Sequence, residues 1–168
     1  MLISETSLEL QRLLQKHAPM CQRLASFHEA DRDRARDLAQ DIMVAVWRAW
    51  PAFRGQCSER TYVARIAQYR IASHVTRAVR EPPLMPLSDD LVAHTPTPES
   101  TAIDNDQRTR LASLVRMLPI ALREVAVMQL EGFTPGEIAD TLGISVNAVA
   151  IRSTRARAAL RCAVEKSP

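Results

Sequence analysis

Glycine is scarce in this chain, with four residues among 168, aromatic side chains make up only 4%, and runs that alternate apolar with polar residues are nearly absent. Without that alternation a strand has no face to bury, so a sheet protein is disfavoured, and 46% hydrophobic content suffices for helical cores. The fold is predicted to be all-α. Cysteine is sparse as well: Cys21, Cys57 and Cys162 are odd in number and far apart, which argues against a disulfide framework and for a reducing compartment. No apolar run approaches the roughly twenty residues that a bilayer requires, and the first residues, LISETSLELQRLL, lack the features of a signal peptide. A cytoplasmic protein without membrane insertion is expected. Also missing are a nucleophile-base pair, a phosphate loop and a metal cage, so neither an enzyme nor a cofactor is expected. His17 and Cys21 have the separation that would set two zinc ligands on one helical face, but Pro19 interrupts it and no C-x-x-C follows. Free, incidental thiols and no metal site are the preferred reading.

Lysine is confined to Lys16 and Lys166, so almost every cation is an arginine, although the formal net charge is only +3. Arginine suits bidentate phosphate and base contacts, and a GC-rich genome would produce the same bias. The distribution of charge says more. Ala52 to Arg80 contains six arginines and one acid, whereas Glu81 to Gln107 contains six acids and no Lys or Arg. The chain is therefore basic, then acidic, then basic again. The acidic stretch holds half of the ten prolines and shows no helical period before Thr101, which marks Glu81 to about Ser100 as a linker. Two small helical domains, 1–80 and 104–168, are predicted on either side of a Pro-rich acidic linker, 81–103.

The most ordered local pattern is TPGEIADTLGISVNAVAIRSTRARAAL, from Thr134 to Leu160. Thr134 and Glu137 form a T-x-x-E capping box with Pro135 at the first helical position. Ile138, Leu142, Ile144, Val146 and Val149 supply an apolar seam, Ala139 is small enough for two helices to approach, and Gly143 can take the positive φ of a tight turn. Ser145 is placed to cap a second helix that carries Arg152, Arg155, Arg157 and Arg161. This is the spacing of a helix-turn-helix with a cationic edge suited to a phosphate backbone; a generic helical hairpin with a solvated basic face is the plain alternative.

In the amino-terminal half, Leu8, Leu10, Leu13, Leu14 and Leu24 predict one or two short helices, with Pro19 marking a break or kink. After the charged turn EADRDR, a helix is predicted from about Ala35 to Trp50, with Leu38, Ile42, Ala45, Val46 and Ala49 inward and Asp37, Gln40, Asp41 and Arg48 on other faces. Trp47 and Trp50 fall on neighbouring positions; core packing is the first reading and a partner surface the second. Pro51 ends that helix, and a loop from Phe53 to Ser58 follows. From Thr61 to about Arg80 another helix is predicted, with Val63, Ile66, Ala67, Ile71 and Val75 inward and Tyr62, Arg65, Gln68, Tyr69, Arg70, His74 and Arg77 outward. Arginines interleaved with aromatics offer phosphate attraction and stacking surfaces for unpaired bases; an ordinary solvated face would look the same.

The segment DLAQDIMVAVWRAWPAFRGQCSERTYVARIAQYRIASHVTR resembles the second conserved region of bacterial RNA polymerase sigma factors, whose pattern is D-x-x-Q-E ending in W, a loop like F-R-G, then T-W-x-x-R-I-A. LPIALREVAVMQLEGFTPGEIADTLGISVNAVAIRSTRARAAL is similar to the fourth region of the same family. Two such regions around a variable linker resemble the extracytoplasmic-function subclass. The resemblance implies that Asp37, Gln40 and Asp41 dock on the clamp helices of the beta-prime subunit, with Asp41 in place of the commoner glutamate. It places the Arg54 to Ser58 loop with Tyr62, Arg65, Tyr69 and Arg70 at the separated strands of the minus-10 element, Tyr62 standing for the usual tryptophan and Ser73 where aspartate is common. In the fourth region it implies contacts to the minus-35 element from Asn147, Ala150, Ile151, Arg152, Thr154 and Arg155. Ala150 and Ile151 stand where a Lys or Arg and a small polar residue are usual, so a thymine methyl is their natural contact.

Implied partners are core RNA polymerase, through the clamp helices and the beta flap, promoter DNA, and an anti-sigma factor of the kind such proteins often have. The function expected is promoter-specific transcription initiation. Two rivals remain at this stage: a helix-turn-helix regulator that binds its operator without polymerase, and a helical adaptor that binds only protein.

Overall fold

The computed structural model describes residues 2–80 and 99–165, with side chains over 8–79 and 106–165. Seven α-helices and one 3-10 turn make up the described residues, with no strand among them. They are α1 (Leu2–His28), α2 (Arg32–Ala49), the turn Trp50–Ala52, α3 (Glu59–Arg80), α4 (Glu99–Arg116), α5 (Ile120–Leu130), α6 (Pro135–Leu142) and α7 (Val146–Glu165). The expected linker lies mostly outside the described residues; its last five positions, 99–103, are already helical, so α4 starts earlier than the sequence predicted.

Pro19 does not divide α1, which is one continuous helix of 27 residues. A proline inside a helix removes a backbone hydrogen bond and costs about 3 kcal/mol. Burial on both sides of it offsets that cost, because Leu13, His17, Met20, Cys21 and Leu24 line a single inward face. Helix α2 also begins earlier than predicted, at Arg32, because the Asp31 carboxylate accepts from the Arg34 backbone N–H at 2.8 Å and caps the helix inside the charged turn. Ser58 does the same for α3, accepting from the Thr61 N–H at 3.1 Å.

Helices α1 to α3 pack around Leu24, Ile42, Val46, Val63 and Ile71, all fully buried. Helices α4 to α7 pack around Val115, Val125, Met128, Ile138 and Val149, equally buried. Each such side chain contributes about 1.5–3 kcal/mol of burial energy. The two sets belong to one continuous apolar core, with α6 resting against α3 and α4 against α1, while Leu118, Ala126 and Ala156 form a smaller cluster between α4, α5 and α7.

Candidate nucleic-acid interface

The helix-turn-helix is set by its own hydrogen bonds. Thr134 caps α6 by accepting from the Glu137 N–H, Glu137 accepts in return from the Thr134 N–H at 2.8 Å, and Pro135 opens the first turn. These bonds to Thr134 hold the Glu137 carboxyl below its usual value. Gly143 adopts φ +65°, the left-handed conformation that lets the Ile144 N–H reach back to the Ala139 carbonyl at 3.1 Å. Ser145 Oγ accepts from the Ala148 N–H at 3.1 Å and starts α7. Ile138, Ala139 and Val149 are buried and Leu142 and Ile144 partly so. Val146 is 53% exposed and leaves the expected seam, because the cap at Ser145 turns the first residue of α7 outward.

Along α7, Val149, Ser153 and Ala156 face the core, and Ser153 Oγ donates to Gln129 Oε1 at 2.9 Å. The opposite positions, Asn147, Ala150, Ile151, Thr154 and Arg155, follow one another at helical spacing and are all exposed. Together they make one bare face with an amide, two small or apolar groups, a hydroxyl and a guanidinium. Thr154 Oγ1 donates to the Ala150 carbonyl at 3.1 Å, which leaves its lone pairs and methyl outward. Arg152 stands apart from this face. It is half-buried and acts electrostatically on Glu124 of α5, whose pKa is raised by burial and drawn back down by Arg152 and Arg123.

The α2–α3 corner is built differently. Trp50 stacks on Phe53 with ring centroids 4.7 Å apart, and Tyr62 lies against both, 4.8 Å from Phe53 and 6.2 Å from Trp50. The Tyr62 hydroxyl donates to the Ala49 carbonyl at 2.9 Å. The expected outward tyrosine is thus half-buried in a cluster that fixes the loop from Phe53 to Ser58. Gly55 takes φ +73° at the loop tip, and Arg54 donates to the Pro51 and Phe53 carbonyls at 2.7 and 3.2 Å. Tyr69, by contrast, is 71% exposed. With Arg48, Arg65, Arg70, Ala45, Ala49 and Ile66 it borders a shallow groove with an apolar floor and a cationic rim. Arg48 was not among the sequence-derived DNA positions; its basic charge was visible, its proximity to Arg65 was not.

Two further expectations for α3 are corrected. Gln68 is buried, since it sits one position from Ala67 on the inward arc, and its amide has no hydrogen-bond partner among the described residues. His74 is turned to Glu29 at the end of α1, 2.9 Å away. On α2, Asp37, Gln40 and Asp41 are exposed, and the stripe continues through Val44 and Trp47, 40% and 54% exposed. The tryptophan pair is therefore split: Trp50 packs and Trp47 faces out. His17 and Cys21 are both buried; burial lowers the His17 pKa and pushes the Cys21 thiol up to about 12. Among the described residues no third metal-ligating group joins them, and no helix is long and apolar enough to cross a membrane.

These surfaces coincide with known protein regions. Residues 13–81 match Sigma-70 region 2, and residues 108–160 match Sigma-70, region 4. The ECF RNA polymerase sigma factor SigG of Mycobacterium tuberculosis is 28% identical over 171 residues, covering 84% of this chain and 44% of that protein, so the chain spans less than half of that relative's length. Among solved structures, CnrH in complex with the cytosolic domain of CnrY superposes with a TM-score of 0.69 and 25% identity, over 95% of this chain and 89% of that one. The sigma factor RpoE of Bartonella quintana, in complex with the anti-sigma factor NepR, shares the fold at a TM-score of 0.68 and 16% identity over 98% and 99% of the two chains. With both regions matched in order and the helical architecture shared along nearly its whole length, the chain belongs to the sigma-70 family of RNA polymerase sigma factors.

Proposed function

We propose that this protein binds core RNA polymerase and directs promoter-specific transcription initiation, with no covalent chemistry of its own. The observation that carries this reading is the coexistence of two exposed surfaces of different character: the acidic-amide stripe Asp37, Gln40, Asp41 on α2, and the bare face of α7 from Asn147 to Arg155. The first fits the clamp helices of the beta-prime subunit. The second fits the major groove of a minus-35 element, where Ile151 and Ala150 offer methyl contacts and Arg155 a phosphate contact. The α2–α3 groove, with Tyr69 above a rim of arginines, fits unpaired bases of the minus-10 element by stacking and phosphate attraction.

Two weak DNA-binding surfaces on one chain gain affinity once the polymerase fixes their separation, because the second contact becomes intramolecular. The six acids of residues 81–107 repel duplex DNA and suppress binding by the free protein. Domain boundaries at 1–80 and 104–168, a cytoplasmic location, the beta flap as a second polymerase contact, and an anti-sigma partner belong to the same reading. The last is supported by the solved complexes of CnrH with CnrY and of RpoE with NepR.

Reversing the charge of Asp41 tests the assignment. Asp41→Arg should abolish copurification with core polymerase while leaving helical content unchanged, since Asp41 is exposed. Holoenzyme at wild-type affinity would refute the docking surface. Tight, specific operator binding by the free wild-type protein would replace the initiation reading with that of a polymerase-independent regulator.

A further inference from the structure

The bare face of α7 has few hydrogen-bond donors to offer a base, because the helix spends several of them on the protein itself. Ser153 is 5% exposed and donates to Gln129 Oε1 of α5 at 2.9 Å. Thr154 is exposed, but its hydroxyl proton goes to the Ala150 carbonyl at 3.1 Å. Arg152 is half-buried and near Glu124 of α5. What remains at the centre of the face is apolar: the Ala150 methyl and the Ile151 side chain, 45% exposed, with the Thr154 methyl beside them. Helical spacing sets Asn147 ahead of this patch, Arg155 and Arg157 on its two edges and Arg161 beyond it, all exposed. An apolar centre in a cationic frame fits a duplex groove, where guanidinium groups hold phosphates and the centre meets base edges.

In the major groove, guanine N7 and O6 and adenine N7 call for donors. Such an acceptor pressed against Ala150 or Ile151 loses its water and gains no partner. Thymine instead presents its C5 methyl, which gains by burial against an aliphatic side chain. Cytosine carries only hydrogen at C5. A methyl added there sets the same apolar group at the same place in the groove, while the N4 amine can donate to the free lone pair of Thr154 Oγ1. We propose that the α7 face reads the C5-methyl groups of pyrimidines, so that 5-methylcytosine replaces thymine at the contacted positions where cytosine does not. Ile151 supplies most of the contact and Ala150 extends it. The inference rests on the minus-35 reading of α7 and names what is read there; it makes cytosine C5-methylation of a promoter a signal that this chain registers.

The test changes only the methyl groups. A promoter-library selection with holoenzyme first fixes the minus-35 sequence, and each selected thymine is then replaced in turn by uracil, cytosine or 5-methylcytosine in duplexes with one minus-10 element. In equilibrium competition, uracil should bind about fourfold more weakly than thymine at one or two adjacent positions, the Boltzmann weight of one buried methyl group. At the same positions 5-methylcytosine should bind about fourfold more tightly than cytosine. The double variant Ala150→Ser with Ile151→Ser, both positions being exposed, should keep the helical circular-dichroism signal and lose both differences. A selected element without thymine, equal binding of thymine and uracil, no gain from 5-methylcytosine, or differences that survive in the double variant would each overturn methyl reading. The same competition run on the free full-length chain with a minus-35 duplex at low salt separates the two claims. Methyl discrimination there by a protein that never binds core polymerase would refute the initiation reading and leave methyl reading standing, whereas a working holoenzyme blind to the methyl groups would do the reverse.

Discussion

In the carboxy-terminal half, the exposed face of α7 is placed by bonds between near neighbours: Thr134 with Glu137, Ile144 with Ala139, Ser145 with Ala148. In the amino-terminal half, the corresponding groups depend on partners brought from afar. Tyr62 reaches back to Ala49 and packs on Trp50 and Phe53, and His74 meets Glu29 across 45 residues. A surface built from local caps can change its outward side chains freely, because none of them supports the helix. A surface built from distant contacts cannot, since the same side chain both shapes the site and faces it. On the resemblance to the family pattern, Ala150 and Ile151 stand on such an exposed face where other residues are usual, whereas Tyr62 keeps a packed aromatic ring where a tryptophan is usual.

The largest effects should come from testing whether the halves are independent. Leu24→Ala in α1 and Ile138→Ala in α6 each empty a fully buried site and should cost about 2–5 kcal/mol. With one continuous core, both variants should lower the same calorimetric transition. Two transitions, each sensitive to only one variant, would show that the halves fold separately and that their contact adds little.

The two tyrosines sharpen the contrast at smaller cost. Tyr69→Ala should spare thermal stability and reduce open-complex formation by about 1–3 kcal/mol for a lost stack, read by permanganate reactivity of promoter thymines. Tyr62→Ala should lower both, because it removes a packed ring as well. Tyr62→Phe, which loses only the bond to Ala49, should cost about 0.5–1.5 kcal/mol of stability. Normal promoter opening in Tyr69→Ala would return that residue to an ordinary solvated face.

The smallest effects concern the α7 face. Arg155→Ala should weaken binding to all promoter variants alike and flatten the salt dependence by roughly one unit of slope. Exchanging Ile151 or Thr154 should instead change which minus-35 bases are preferred in a promoter-library selection. The reverse pattern, with sequence preference following Arg155, would show that the helix lies in the groove in another register.

Most of the α7 face was legible because each of its determinants acts within one helical turn. The capping box, the turn glycine and Ser145 act on the backbone beside them, so reading them requires no knowledge of the rest of the fold. The exposed stripe of α2 was legible for a related reason: helical periodicity separates Asp37, Gln40 and Asp41 from Leu38 and Ile42. Boundaries were less visible. Asp31 sits in a run of charges where no apolar period announces a helix, and α4 starts at Glu99, ahead of any period. Periodicity also misassigned Gln68 and Val146, since it treats a polar residue as outward and an apolar one as inward, while the packed arc and the turn geometry decide their real places.

The sequence by itself determined an all-helical chain, a helix-turn-helix with its start and turn specified, and the order of the two sigma regions, because hydrogen bonds between neighbours and the 3.6-residue period are properties of local sequence. Only the tertiary structure decided that α1 runs unbroken through Pro19, that Trp50 packs while Trp47 faces out, and that Glu131 is held by Arg23 and Arg60. Those outcomes depend on which surfaces are removed from water together. Burial is a sum over partners distant in the chain, and no local pattern contains it.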